Sequence, residues 1–319
     1  MKIALFGRTI ESESMGELAL LVDKILHKSE VVPVIYREFA DYLSEKIGLC
    51  EFAESDRAKI SALLSKAVFF ESYRTLPDDT DLFMSLGGDG TFLSSVALVR
   101  DKNIPIVGVN FGRLGFLTTA KVHNATDVAT DPECNNWIDA LLAGNFTIEE
   151  RSLLKLEYQN APADFYPCAL NEFSIQRNGP AVLEMKISIN GAEIPRYMAD
   201  GVLVASATGS TAYSMSAGGP IVMPDGKVLI IVPVAPHNLN IRPLVVPDDS
   251  IIEVSFTTRY DNATLSADNR SITIPNGTSV KITRAGNAVK LVSVNGNFVK
   301  ALSEKLFWGA DWRNSHNNG

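Results

Sequence analysis

DLFMSLGGDGTFLSSVALVRDK, residues 81–102, is the stretch from which the architecture of the first half of the chain can be read. Leu82, Phe83, Met84 and Leu86 form a short apolar run that reads as a buried strand, and the run stops at Gly87-Gly88-Asp89-Gly90. Phe92, Leu93, Val96, Ala97 and Val99 then recur at helical spacing, with Thr91 or Asp89 able to cap the first turn. A strand, a glycine turn and a helix start make a phosphate-binding geometry, because glycines admit close approach and the first helical turn offers unpaired N–H groups. Asp89 is out of place in a pure phosphate cradle, where like charges repel. It suits a hydroxyl or a metal ion better, or it caps the helix in an ordinary tight turn; spacing alone leaves both open.

Working outward, residues 2–6 read as a strand, and Met15, Leu18, Leu21, Val22, Ile25 and Leu26 as a helical stripe. Residues 31–36 form a second strand. Phe39, Tyr42, Leu43 and Ile47 mark another helix, Ile60, Leu63, Leu64 and Ala67 a further one, and residues 104–109 a further apolar run. Strands alternating with helices predict a Rossmann-like α/β domain whose parallel sheet is covered on both faces, with ligands beyond the carboxyl ends of the strands. GGDG lies at one such end and Asn110-Phe111-Gly112-Arg113 at another. The second turn continues through Leu114, Gly115, Phe116 and Leu117; Arg113 can steady a phosphate and Phe116 can face a base, or the two are a solvated arginine and a core ring. A helix is predicted from Pro132 through Trp137, Ile138, Leu141 and Leu142 to a C-cap at Gly144.

After about Asn145 the texture changes. Leu154, Leu156 and Tyr158 alternate with Lys155 and Glu157, and Leu183, Met185, Ile187 and Ile189 with Glu184, Lys186, Ser188 and Asn190; Asn190-Gly191 then reads as a type I′ hairpin turn. Short strands recur to residue 294 with few helix signals between them, which predicts a mostly antiparallel β-sandwich. The expected division is an α/β domain over 1–145, a β-sandwich over 146–297, and a C-terminal helix and tail, 298–319, packing back on the first domain.

Two further segments stand out. Residues 200–224, DGVLVASATGSTAYSMSAGGPIVMP, open from an apolar strand into small hydroxyl side chains that can wrap phosphates or ribose hydroxyls, or form a solvated loop. Asn171-Glu172 sits inside a strand-like run, where an amide beside a carboxylate can read a base edge or hold a ribose, or else face outward. His237, in a proline-rich loop, has no Ser or Cys nucleophile motif beside it and reads as structural.

The chain has 319 residues, 46% apolar and 21% charged, with a net charge of -8, which argues against a nucleic-acid partner. Three cysteines, Cys50, Cys134 and Cys168, fit free thiols in a reducing cytosol, and four scattered histidines make no zinc spacing. No apolar run is long enough to span a bilayer, and the MKIALFGRT start is too short for a signal peptide. A soluble, cytoplasmic protein without a membrane partner is expected.

Together these segments resemble the NAD kinase family, which phosphorylates the 2′-hydroxyl of the adenosine ribose of NAD to give NADP. GGDGT at Gly87 is shared with a wider superfamily that includes diacylglycerol, sphingosine and phosphofructo-kinases. GRLGFL at Gly112, NE at Asn171, DGVLVASATGSTAYSMSAGGPI at Asp200 and APHNLNIRPLV at Ala235 narrow it, in family order and over nearly the whole chain. The resemblance implies that Asp89 is the general base, that Gly87 and Gly88 let a nucleoside triphosphate come close, and that Arg113 touches a phosphate. It also implies that Gly90, Phe116, Leu117, Asn171, Glu172, Asp200, Thr211, Ala212, Tyr213, Ser216 and Ala235 line the NAD site. ATP or polyphosphate is the implied donor, and the implied assembly is a homodimer or homotetramer. A divalent cation, magnesium, is expected from the charge of the triphosphate rather than from any ligand motif. One departure is Met198, where many family members carry an arginine; Arg196 and Arg177 are the candidates to compensate. The alternatives are a lipid kinase of the same superfamily and a non-catalytic NAD(P)-binding sensor.

Overall fold

The structure, a computed structural model, describes residues 1–28, 30–49, 52–112, 115–123, 127, 130–131, 134–294 and 298–306. The chain divides into two units, the first comprising Met1–Phe92, Ile106–Ile148 and Val292–Gly319, the second Leu93–Pro105 and Glu149–Leu291.

In the first unit, strands β1 (Lys2–Gly7), β2 (Val32–Tyr36), β3 (Val68–Phe70), β4 (Leu82–Leu86) and β5 (Ile106–Asn110) alternate with helices α1 (Met15–His27), α2 (Arg37–Gly48), α3 (Glu54–Lys66) and the opening turn of α4 (Asp89–Val99), whose residues from Leu93 on fall in the second unit. The strands pair in parallel in the order β5-β4-β1-β2-β3, with Ile3 opposite Leu82 and Phe83 opposite Ile106. All five residues of β4 are buried, as a strand covered on both faces requires. On one face Ile3, Leu5, Met84 and Val107 pack with Leu18, Leu21, Val22 and Ile25 of α1 and with Trp137 and Ile138 of the helix Asn136–Leu142. On the other, Phe6, Tyr36, Phe70 and Phe83 form an aromatic cluster with ring centroids 5.1–6.2 Å apart. Each fully buried side chain of this size contributes about 1.5–3 kcal/mol. The connection order reverses between β1 and β4, so the turn after β4 lies at the switch point of the sheet, where open α/β sheets bind ligands.

The second unit is antiparallel. One sheet carries, in order, Leu244–Pro247, Val228–Val234, Gly201–Ser206, Glu172–Arg177, Asn262–Ala267 and Arg270–Pro275. Facing it, Leu183–Ile189 pairs with Ile252–Thr257, which pairs with Ser279–Ser293. One apolar core fills the sandwich: Phe173, Ile175, Val202, Val204 and Leu265 meet Met185, Ile187, Val254, Phe256 and Ile282. Gly201–Ser206 is buried along its whole length, because Leu203 and Ala205 on its outer face pack with Ile230 and Val232 beneath Tyr213 and Val222. Asn190 and Gly191 have φ of 52° and 82°, and Ile189 faces Ala192, so the two-residue hairpin is as read from the sequence.

Val68–Phe70 is a strand the sequence reading does not mark, and other differences lie at element ends. The helix predicted from Pro132 is observed from Asn136, Pro132 itself lying outside the described residues, and Gly144 has the left-handed φ of 77° expected of a C-cap. The strand-like run around Asn171-Glu172 is broken into Cys168–Ala169 and Glu172–Arg177, with Leu170 and Asn171 bent between them. The final helix, Phe298–Leu306, buries Leu302; the expected burial of Phe307 concerns a residue outside those described.

Candidate active site

The candidate residues fall into two groups, one within each unit. In the first, Gly87 leaves β4 with its N–H on the Val109 carbonyl at 2.8 Å, and the Gly88 carbonyl accepts the N–H groups of Thr91 and Phe92 to open α4. Beside Gly88 and Gly90 an added Cβ would meet nothing within 4 Å, so among the described residues the face of this turn is open. Asp89 is the first residue of α4, yet its carboxylate does not cap that helix. Oδ1 accepts the N–H groups of Leu117 and Thr118 and the Thr118 hydroxyl, each at 3.1 Å; Oδ2 accepts the Phe116 N–H at 2.8 Å.

The turn after β5 is shaped to give those donors. Asn110 Oδ1 accepts the Gly112 N–H at 2.8 Å, Asn110 Nδ2 donates to the Thr118 hydroxyl at 3.2 Å, and that hydroxyl also accepts the Gly115 N–H at 2.9 Å. Gly115 is obligatory, since a Cβ there would lie 1.7 Å from Asp89 Oδ1. Leu117 is buried and serves the site through its backbone, whereas Phe116 is half-buried and pairs with Phe298, ring centroids 5.9 Å apart. Arg113 lies outside the described residues.

In the second unit, the bend at Asn171-Glu172 is held by Asp268, a residue the sequence reading passed over. Its carboxylate accepts the N–H groups of Leu170 at 2.9 Å and Asn171 at 2.7 Å, and the Glu172 carbonyl accepts the Asp268 N–H at 3.0 Å. Asp268 has a φ of 52°, in the turn of the hairpin between Ala267 and Arg270. Arg270, 3.7 Å from the Asp268 carboxylate, donates to the carbonyls of Tyr166 and Cys168. Only a turn signal, Asp268-Asn269 between alternating strands, pointed to this residue in the sequence.

The hydroxyl-rich loop packs directly on that bend. Ser206 donates its N–H to the Asn171 carbonyl at 2.8 Å and its hydroxyl to the Leu170 carbonyl at 2.6 Å, and the Ser206 hydroxyl accepts the Gly209 N–H at 3.1 Å. Gly209 must be glycine, because a Cβ would stand 2.1 Å from the Asn171 carbonyl oxygen. Ser210 is also internal, exchanging bonds with the Val222 backbone. Part of the Ser/Thr array therefore builds the loop, leaving Thr211, Ala212 and Tyr213 half-buried and Ser216 exposed. Ala235, exposed with a φ of 45°, follows the strand whose Val234 carbonyl accepts the Asp200 N–H at 3.0 Å.

Of the two arginines set against the Met198 departure, Arg177 is the one that pairs with Asp200. Its Nε is 2.6 Å from Asp200 Oδ1 and its Nη2 donates to Oδ2 at 3.0 Å, a two-pronged pair, whereas Arg196 is taken by Glu184. Met198 is 42% exposed.

Glu172 is a strongly perturbed acid of this group. Burial first, and the negative Asp268 second, push its carboxyl up to about 8, against the N–H of Tyr213, and among the described residues its Oε2 has no hydrogen-bond partner. At neutral pH it is largely a neutral acid with a proton to donate. The stability consequence has a definite sign. Because the folded value lies above the unfolded one of about 4.3, the contribution is fully present below that lower value and is lost as pH rises through about 8. Glu172→Gln should therefore gain stability relative to the parent between pH 5 and pH 8. Urea midpoints at the two pH values check it, and a difference independent of pH would contradict it.

Matches to known proteins cover the segments that carry both groups. The ATP-NAD kinase N-terminal domain matches residues 10–132, and the ATP-NAD kinase C-terminal domain matches residues 170–294. An NAD kinase of Bacteroides fragilis is 37% identical over 315 residues, covering 98% of this chain and 100% of its own. One from Porphyromonas gingivalis is 36% identical, covering 97% and 98%. The fold is also that of yeast NADH kinase solved with NADH, with a TM-score of 0.81 at 22% identity, covering 99% of this chain and 90% of that one. An Archaeoglobus fulgidus NAD kinase solved with ATP gives a TM-score of 0.63 at 23% identity, covering 95% and 98%. With both domains matched in order and relatives aligned end to end, the chain belongs to the NAD kinase family.

Proposed function

We propose that the chain transfers the γ-phosphoryl group of ATP to the 2′-hydroxyl of the adenosine ribose of NAD, giving NADP and ADP, with Asp89 as general base. The observation that carries the reading is the placement of Asp89. Four donors from residues 116–118 hold its carboxylate beside an open glycine turn at the sheet's switch point, and Oδ2, with one N–H donor against three groups on Oδ1, keeps acceptor capacity for a hydroxyl. In the step, the 2′-oxygen bonds to the γ-phosphorus while the bond from that phosphorus to the β,γ-bridging oxygen breaks. The hydroxyl proton goes to Asp89, and ADP leaves with the electron pair.

Gly87 and Gly88 admit the triphosphate with the support of Arg113, while Gly90, Phe116 and Leu117 line the NAD site, Phe116 offering its ring to the base. Asn171, Glu172, Asp200, Thr211, Ala212, Tyr213, Ser216 and Ala235 hold the dinucleotide. Asp200 does so with its charge balanced by Arg177, the candidate to compensate for the arginine absent at Met198. A divalent cation, magnesium, arrives with the triphosphate as part of the substrate; among the described residues no group of three His, Cys, Asp or Glu side chains is placed to hold one. Residues 1–145 are assigned to the GGDG domain, 146–297 to the dinucleotide domain and 298–319 to a return to the first, in a cytoplasmic homodimer or homotetramer. No helix among the described residues is long and apolar enough to cross a membrane.

The test is NADP formation from NAD, run once with ATP and once with inorganic polyphosphate. NADP with ATP supports the reading, and NADP with both widens the donor. NAD binding without NADP would make the chain a sensor, and phosphorylation of a lipid instead would return it to the wider superfamily.

A further inference from the structure

The C-terminal helix brings a cation to the general base. Lys305 Nζ lies 3.8 Å from Asp89 Oδ2 and 4.4 Å from the centre of the Phe116 ring, and its side chain is 27% exposed. The helix is seated there by Phe298 against the same ring and by buried Leu302. At 3.8 Å the ammonium is beyond hydrogen-bond length from Oδ2, which already accepts the Phe116 N–H. All of these residues belong to the first unit.

The position matters for the chemistry assigned to Asp89, on which this inference rests. A hydroxyl hydrogen-bonded to Oδ2 places the incoming phosphorus one hydrogen bond and one P–O bond from a carboxylate, anion against anion at a few ångströms. An ammonium beside that same oxygen has three donors, of which the carboxylate needs at most one. We propose that Lys305 binds the phosphoryl group as it reaches the ribose and then holds the 2′-phosphate of the product. Burial lowers the proton affinity of the Lys305 ammonium, with Asp89 opposing it, and a phosphate dianion adds to that opposition. The helix thus carries a specificity element that separates NADP from NAD, the one difference between them being the group that Lys305 would touch.

Lys305→Met keeps the stem that crosses Phe116 and removes the charge; Lys305→Arg restores charge. Titration calorimetry with NAD and with NADP, alongside turnover at saturating NAD and ATP, reads the effect. For Lys305→Met, NADP affinity should fall about tenfold or more with NAD affinity within about threefold, kcat should fall about 10²-fold, and Lys305→Arg should recover most of the NADP affinity. A purely structural role would weaken both dinucleotides together, and either that result or unchanged values would overturn the proposal. If Lys305→Met does not fold, Lys305→Gln is read in the same way. Should the parent protein form no NADP at all, the reading of the reaction fails; an active parent with an indifferent Lys305→Met defeats only the role of Lys305.

Discussion

Asp89→Asn should lower kcat by about 10²- to 10⁴-fold, the usual span for losing a general base, while NAD affinity stays within several-fold. The amide can no longer take a proton from the ribose hydroxyl. It also carries only one acceptor oxygen where the carboxylate has two. With that oxygen placed at the Oδ1 position, facing Leu117 and Thr118, the NH₂ points at the Phe116 N–H and towards Lys305, donor against donor. Leaving that N–H unsatisfied costs about 1–3 kcal/mol, so a lower melting temperature should accompany the loss of turnover. Single-turnover kinetics separate the two effects, since a merely loosened turn would raise KM for NAD and spare the chemical step. Turnover close to that of the parent would remove Asp89 from the mechanism.

Gly115→Ala should damage the same carboxylate without touching it chemically. The new Cβ would sit 1.7 Å from Asp89 Oδ1 and 2.3 Å from the Thr118 hydroxyl, and neither can simply retreat. Asp89 is a short side chain fixed at the start of α4, and Thr118 is tied to Asn110 and Asp89. Overpacking of this kind costs about 1–3 kcal/mol, and a catalytic group displaced by about 1 Å loses about 10²-fold in rate. The variant should therefore fold with reduced stability and lose kcat by about that factor, measured by denaturant melts and steady-state assays. Full activity would mean that the carboxylate need not be held by the turn at residues 115–118.

Both expectations depend on contacts that short-range sequence reading does not contain. GGDG reads also as a tight turn whose Asp caps the helix, and spacing alone leaves both readings open. The cap is not what forms, because the parallel sheet puts the turns after β4 and β5 side by side, and residues 27 to 29 positions downstream offer the carboxylate better-directed donors than its own helix does. Part of the Ser/Thr loop was open to a similar misreading: Ser206 and Ser210 build the loop, and hydroxyl composition does not say which members face inward.

Some features need no tertiary information. The apolar runs of the first half, the alternation of the second, the Asn190-Gly191 hairpin and the glycine turns at strand ends are local, since backbone periodicity and left-handed φ are decided within a few residues. The motifs in their order were enough to point to the NAD kinase family. What only the folded chain decided is which charged groups meet: Asp89 with the 116–118 turn and Lys305, Arg177 rather than Arg196 with Asp200, and Asp268 clamping a bend 97 residues before it. Such pairs are set by strand order and by the direction of each turn. Both are products of packing the entire chain, and no window of sequence carries them.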